Sequence, residues 1–120
     1  MFYRIQALRG RQAAILKLDG LLDVDGVVEL REAVDAILEQ GIHEIIVDLE
    51  SVGIVNSAGW GVFISKLAAV ERARGHFRFA AMRPEVQQIF DVLGLPRAAA
   101  VSAHVTVEEA LNASVANVPA

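Results

Sequence analysis

Chemistry in this chain would centre on Ser57. The serine stands in the segment Val55-Asn56-Ser57-Ala58-Gly59-Trp60-Gly61, between a short apolar run and the first residues of a helical pattern. The first amides of a helix have no intrahelical acceptor and the dipole there is positive, so a phosphate on Ser57 would be held. It would also add about −1.5 to −2 charges at one surface point, enough to break docking to an acidic or apolar partner. The competing use of the same residues is structural, with Asn56 or Ser57 serving as an N-cap worth about 1 kcal/mol. Glycine in a first turn costs helix stability, so Gly59 and Gly61 imply close approach by backbone or by a partner. Trp60 between them suits either a core anchor or an interface hot spot.

Catalytic alternatives fit less well. The order Ser57, Asp91, His104 imitates a hydrolase triad, but a nucleophile elbow requires glycine where Val55 stands. Asp48, at the end of an apolar run, has the setting of an aspartyl phosphoacceptor. Asp23 and Asp25 could supply its acidic companions, but neither Lys17 nor Lys66 lies on a late strand. His43, His76 and His104 are far apart with no carboxylate at a ligand-like interval, so no metal site is expected. Gly59-Trp60-Gly61 lacks the third glycine and the lysine of a phosphate loop, and no cofactor is expected.

The elements that would position Ser57 follow from hydrophobic periodicity. Residues 2–8 alternate, residues 13–18 form a second β-like run, and Arg9 to Gln12 between them suit a hairpin. Val27, Leu30, Val34, Ile37 and Leu38 recur at helical spacing up to a stop at Gly41. Residues 45–49 are short, β-branched and almost wholly apolar, as in a central strand buried on both faces. A helix from Ser57 to Arg74 and a strand over 77–82 then make a strand–helix–strand unit, with parallel strands and a right-handed crossover. Pro84 opens a third helix that ends at Gly94. Residues 98–104 hold a short edge strand, and Thr106 with Glu109 has capping-box spacing before a last helix. The expected fold is a single α/β domain over residues 1–112. Its mixed, mostly parallel sheet of four to five strands packs against about four helices, and residues 113–120 form a frayed tail.

Composition narrows the setting. At 120 residues the chain suits one domain, and its zero cysteines remove disulfides and thiolate chemistry. Its apolar runs are far short of the roughly 20 residues a membrane span needs, so no membrane insertion is expected. The first residues lack the pattern of a secretory signal, which makes the cytoplasm the default location. A net charge of −4 disfavours direct nucleic-acid binding. The basic cluster Arg72, Arg74, His76, Arg78 and Arg83 reads as a solvated face.

Four segments together resemble a known family. They are Leu18-Asp19-Gly20-Leu21-Leu22-Asp23, Ile46-Val47-Asp48-Leu49-Glu50-Ser51-Val52, Asn56-Ser57-Ala58-Gly59, and Arg83-Pro84-Glu85-Val86 continuing through Phe90-Asp91-Val92-Leu93-Gly94-Leu95. In this order and spacing the chain resembles a STAS domain of the stand-alone, bacterial anti-sigma factor antagonist (anti-anti-sigma factor) type, nearly end to end. The resemblance implies a non-enzymatic, partner-switching phosphoprotein of transcription regulation. Its unphosphorylated form would bind an anti-sigma factor serine/threonine kinase and so release a sigma factor. Phosphorylation on Ser57 would abolish that binding, and a metal-dependent serine phosphatase would restore it. The implied partner surface comprises Asp23, Asn56, Ser57, Ala58, Gly59 and Trp60, on a monomer or weak dimer. The family usually has aspartate before the phosphosite where this chain has Asn56, and Ala58 leaves Ser57 as the motif's only acceptor. Stand-alone STAS domains also serve as constitutive accessory subunits of membrane lipid-transport ATPases and as components of stress-sensing scaffolds, two alternative roles.

Overall fold

The computed structural model describes residues 2–8 and 10–116. Its strands are β1 (Phe2–Ala7), β2 (Ala13–Leu22), β3 (Glu44–Val55), β4 (His76–Ala80) and β5 (Val101–His104). Its helices are α1 (Val24–Glu39), α2 (Ser57–Arg72), α3 (Pro84–Val92) and α4 (Val107–Ala116), with a 3-10 turn over Leu95–Arg97. The strands lie side by side in chain order. β1 is antiparallel to β2, and β2 through β5 are mutually parallel. The expected mixed sheet and its helices are therefore present. α4 continues through Ala116, past the limit of 112 expected for the ordered domain, and residues 117–120 lie outside the described residues.

The sheet is covered unequally. Leu30, Val34 and Ile37 of α1, Trp60, Phe63 and Val70 of α2, and Val86 and Phe90 of α3 pack with Leu16, Leu18, Ile45, Val47, Phe77 and Phe79 in one large core. On the other face, among the described residues, only α4 covers the strands, where Val107, Ala110 and Leu111 meet Ile15, Ile46 and Ala80. β3 is thus buried from both sides, as its β-branched run requires. An aromatic cluster fills the larger core: Phe79 meets Trp60, Phe63 and Phe90 edge-on at centroid separations of 5.5, 5.0 and 5.4 Å. Such contacts add about 0.5–1.5 kcal/mol each beyond area burial.

Two sequence expectations change here. β2 and β3 run past their apolar segments because the residues that follow pair with each other, Asp19 with Ser51 and Gly20 with the buried Val52. Register shifts flank this stretch, and Gly20 takes a φ of 107° that a side chain would resist. The basic cluster divides: Arg72, Arg74 and Arg83 are exposed, as on a solvated face, but Arg78 and His76 turn toward the sheet. Arg78 is only 7% exposed, and its Nε donates to Glu44 at 3.1 Å. The Glu44 carboxylate also pairs with His76 at 2.5 Å, so this part of the α4 side holds a charge network. A buried guanidinium requires such a partner.

The capping box before α4 forms in a displaced version. Thr106 Oγ1 accepts from the Glu109 amide at 3.1 Å, while the Glu109 carboxylate accepts from Val105, one residue before the cap. His104, nearby, hydrogen-bonds Ser102 Oγ at 2.8 Å. Burial first, and Arg78 second, lower its pKa below the ordinary 6.5, against an opposing pull from Glu109. The unfolded chain therefore takes up this proton at higher pH than the folded one. The stability His104 contributes is complete above pH 6.5 and declines as pH falls below it. Urea titrations of wild type and His104→Gln should show a steeper loss between pH 6.5 and 5 for wild type; parallel curves would contradict it.

Candidate functional site

The site lies where β2 and β3 end. Leu22 and Val55 are paired in parallel register, and the Asn56 amide donates to the Leu22 carbonyl at 3.1 Å. One residue further on, each strand turns into a helix with the same device. Asp23 caps α1, its Oδ1 accepting from Gly26 at 3.1 Å, and Asn56 caps α2, its Oδ1 accepting from Gly59 at 2.8 Å. Two helix N-termini thus open side by side at one edge of the molecule. Both caps leave the next two amides, those of Val24 and Asp25 and of Ser57 and Ala58, without intrahelical acceptors.

Ser57 is the first residue of α2 and is exposed, as are Ala58 and Asp23, while Asn56 is half-buried. Gly59 and Trp60 correct the expected partner surface. Both are buried, and Trp60 is 0% exposed beneath the aromatic cluster. Trp60 is the core anchor, not the hot spot. Its indole N–H makes no hydrogen bond among the described residues, so its place is set by ring packing. Gly59 is the close approach that the sequence implied: a Cβ there would stand 2.7 Å from Leu22 Cδ2 and 3.0 Å from Val55 Cγ1. Gly61, by contrast, is exposed and a Cβ would meet open space.

Periodicity did not single out the apolar residues bordering the two caps. Leu21 and Ile54 are directly paired and exposed, and Val24, the first residue of α1, is 74% exposed, with Val28 one turn on. The signal was present in the pairs Leu21-Leu22 and Ile54-Val55. In each strand only the second member can face the large core, which leaves the first outside. Acidic groups accompany this surface: Asp23 and Asp25 are both exposed. Two cations have partners elsewhere. Lys66 of α2 pairs with Asp35 of α1 at 2.6 Å, and Arg83 Nε donates to the Glu50 carbonyl at 3.3 Å.

The catalytic readings separate in space. His104 and Ser102 stand on the α4 side of the sheet, Asp91 is exposed on α3, and Ser57 opens a helix on the opposite face, so no triad forms. Asp48 does meet a lysine, since Lys17 is its register neighbour and Nζ lies 4.0 Å from Oδ2. Asp48 also accepts from the Glu50 amide and is buried on the α4 side, while Asp23 and Asp25 lie at the start of α1. Its partners are those of a structural carboxylate. Among the described residues no group of three or more His, Cys, Asp or Glu could hold a metal ion, and no helix is long and apolar enough to cross a membrane.

This architecture has known counterparts. The STAS domain model matches residues 4–110. The anti-sigma-B factor antagonist of Staphylococcus epidermidis is 30% identical over 80 residues, which cover 67% of this chain and 74% of that protein. An anti-sigma factor antagonist from Mycobacterium paratuberculosis has the same fold, with a TM-score of 0.82 at 18% identity over 95% of this chain and 93% of its own. SpoIIAA, a cell fate determinant of Bacillus, superposes in its phosphorylated form with a TM-score of 0.72 at 22% identity, covering 93% of this chain and 98% of that one. The chain belongs to the STAS domain family, and within it to the anti-sigma factor antagonists.

The two glycines of the α2 start separate packing from exposure. Gly59→Ala should destabilise by about 1–3 kcal/mol through overpacking against Leu22 and Val55. Gly61→Ala should be neutral or stabilising by up to about 1 kcal/mol. Urea unfolding of both variants checks this, and equal effects would contradict the close approach. Asn56→Ala should cost about 1 kcal/mol by the same measurement, and Asn56→Asp much less, because a carboxylate caps as well as an amide oxygen.

Proposed function

We propose that the chain is a phosphorylation-controlled antagonist whose unmodified Ser57 surface binds an anti-sigma factor serine/threonine kinase and thereby frees a sigma factor. The kinase that binds it would also modify Ser57, and a metal-dependent serine phosphatase would reset it. The chain would act in the cytoplasm as ligand and substrate, without catalysis of its own.

The observation that carries this reading is the exposure of Ser57 as the first residue of α2, beside a second helix start and on an acidic, partly apolar surface. The adjoining amides and dipole give a phosphate a fixed place. Asp23 and Asp25 would then lie beside two further negative charges. With Lys66 paired to Asp35 and Arg83 to the Glu50 carbonyl, the charge stays directed outward. A partner that covers Leu21, Val24 and Ile54 would have to desolvate that dianion. Buried, uncompensated charge is costly enough to end the association. The relatedness to the Staphylococcus antagonist favours this role over a transport subunit. Asn56 keeps the cap without adding a charge before the acceptor, and kinase recognition would rest on Asp23 and the apolar rim.

Pull-downs of a candidate anti-sigma kinase with wild type, Ser57→Ala and Ser57→Asp test the switch. Wild type and Ser57→Ala should bind alike, and Ser57→Asp should bind at least tenfold more weakly. Incubation with the kinase and ATP should add one phosphate to wild type and none to Ser57→Ala by intact mass. Equal binding by all three proteins would remove the switch.

A further inference from the structure

β1 ends the sheet as an edge, and among the described residues it has one neighbouring strand, β2. The parity of its backbone is fixed by one bond. Leu8 lies opposite Ala13 in the β1–β2 register and donates to its carbonyl at 2.9 Å. Antiparallel pairing alternates, so Phe2, Arg4 and Gln6 turn their amides and carbonyls toward β2, whereas Tyr3, Ile5 and Ala7 turn theirs outward. These outward groups are a template for another strand. The side chains of the same residues are apolar and partly exposed, and Ile5 and Ala7 line a shallow groove with Ala36, Ile37 and Ile42 of the α1 side.

We infer that this edge pairs with a second copy of itself, antiparallel about a two-fold axis at Ile5, to give a weak dimer with one continuous ten-stranded sheet. Parity and charge select that register. Odd residues must meet odd residues for outward groups to find partners, which excludes any slip by one position. A two-fold at Arg4 would set two arginines directly opposite each other in a close, non-hydrogen-bonded pair, which is repulsive. A two-fold at Gln6 would join only Ile5 to Ala7 and Ala7 to Ile5 within β1, two outward pairs in place of three. Centring on Ile5 joins Tyr3 to the second copy's Ala7, Ile5 to the second copy's Ile5, and Ala7 to the second copy's Tyr3. That makes about six backbone hydrogen bonds at two per pair. Arg4 then faces a neutral Gln6, and each Tyr3 ring arrives beside the other copy's groove at Ala7. The Ser57 surface lies beyond Leu22 and Val55, at the end of the sheet, so both copies keep it available. This inference does not depend on the switch proposed above.

The chain has no cysteine, so single cysteines report the register cleanly. Opposed residues of a hydrogen-bonded pair have Cα atoms about 5.5 Å apart, within disulfide reach, whereas two Tyr3 positions would stand about 15 Å apart. Under mild oxidation of the full chain, Ile5→Cys should form at least tenfold more covalent dimer than Tyr3→Cys or Ala7→Cys alone. An equal mixture of Tyr3→Cys and Ala7→Cys should cross-link efficiently to the mixed dimer. Sedimentation equilibrium should find concentration-dependent dimers of wild type. They should be lost in Ile5→Pro, which removes an outward amide that an edge strand does not use within its own sheet. Unchanged circular dichroism would confirm that the monomer still folds. A dimer that persists in Ile5→Pro would overturn the inference. So would indiscriminate cross-linking, or a wild type that stays monomeric to millimolar concentration, as expected if the edge serves a strand from another protein.

Discussion

The Ser57 surface depends on the contact of Gly59 with Leu22 and Val55. With no side chain at Gly59, the first turn of α2 settles onto the paired ends of β2 and β3, and the Asn56 amide reaches the Leu22 carbonyl. That single approach brings the capped start of α2 beside the capped start of α1. It also drives Trp60 into the core, where Phe63, Phe79 and Phe90 hold it. Ser57 is therefore presented at a fixed angle by the residues on either side of it. Gly59 and Trp60 supply its foundation, and the cap at Asn56 before it supplies its orientation.

A surface built this way can be changed without being rebuilt. The amides at the two helix starts are oriented by the backbone, and the carboxylates of Asp23 and Asp25 are already exposed. A phosphate needs no movement of the core to alter what the surface can bind, because charge and desolvation act at the oxygen itself. The unequal cover of the sheet fits this division. The large core under α1, α2 and α3 makes the frame rigid, while the α4 side carries the buried Arg78–Glu44–His76 network and Asp48, whose partners are structural. A switch by local charge on a rigid frame differs from one that works by refolding a loop, since only the former leaves packing unchanged.

Much of this was legible in the sequence because local and long-range signals agreed. The apolar run at 45–49 marked the central strand, Pro84 and Gly94 bounded α3, and Asn56 and Ser57 marked a strand-to-helix junction, where the candidate site is placed. The resemblance added what periodicity lacks, the proposed role of the serine as a phosphate acceptor. Three features were hidden for physical reasons. The extensions of β2 and β3 pass through Asp19, Gly20, Glu50, Ser51 and Gly53, whose strand character comes from the pairing of the two strands with each other. α1 starts three residues earlier than its apolar pattern because Asp23 is its cap, and exposed Val24 and buried Gly26 do not follow the inward stripe. The fate of Trp60 and of Arg78 was set by packing across the sheet, which residue type alone does not record.

The central claim is that phosphate on Ser57 acts locally, and backbone amide resonances test it most directly. Comparison of the unmodified and phosphorylated protein by two-dimensional NMR should confine large shifts to the two helix starts, residues 22–26 and 55–60. The amides of Phe77, Phe79 and β5 should be unmoved. Large shifts spreading through β4, β5 and α4 would contradict the account, because they would mean that the modification acts by rearranging the core.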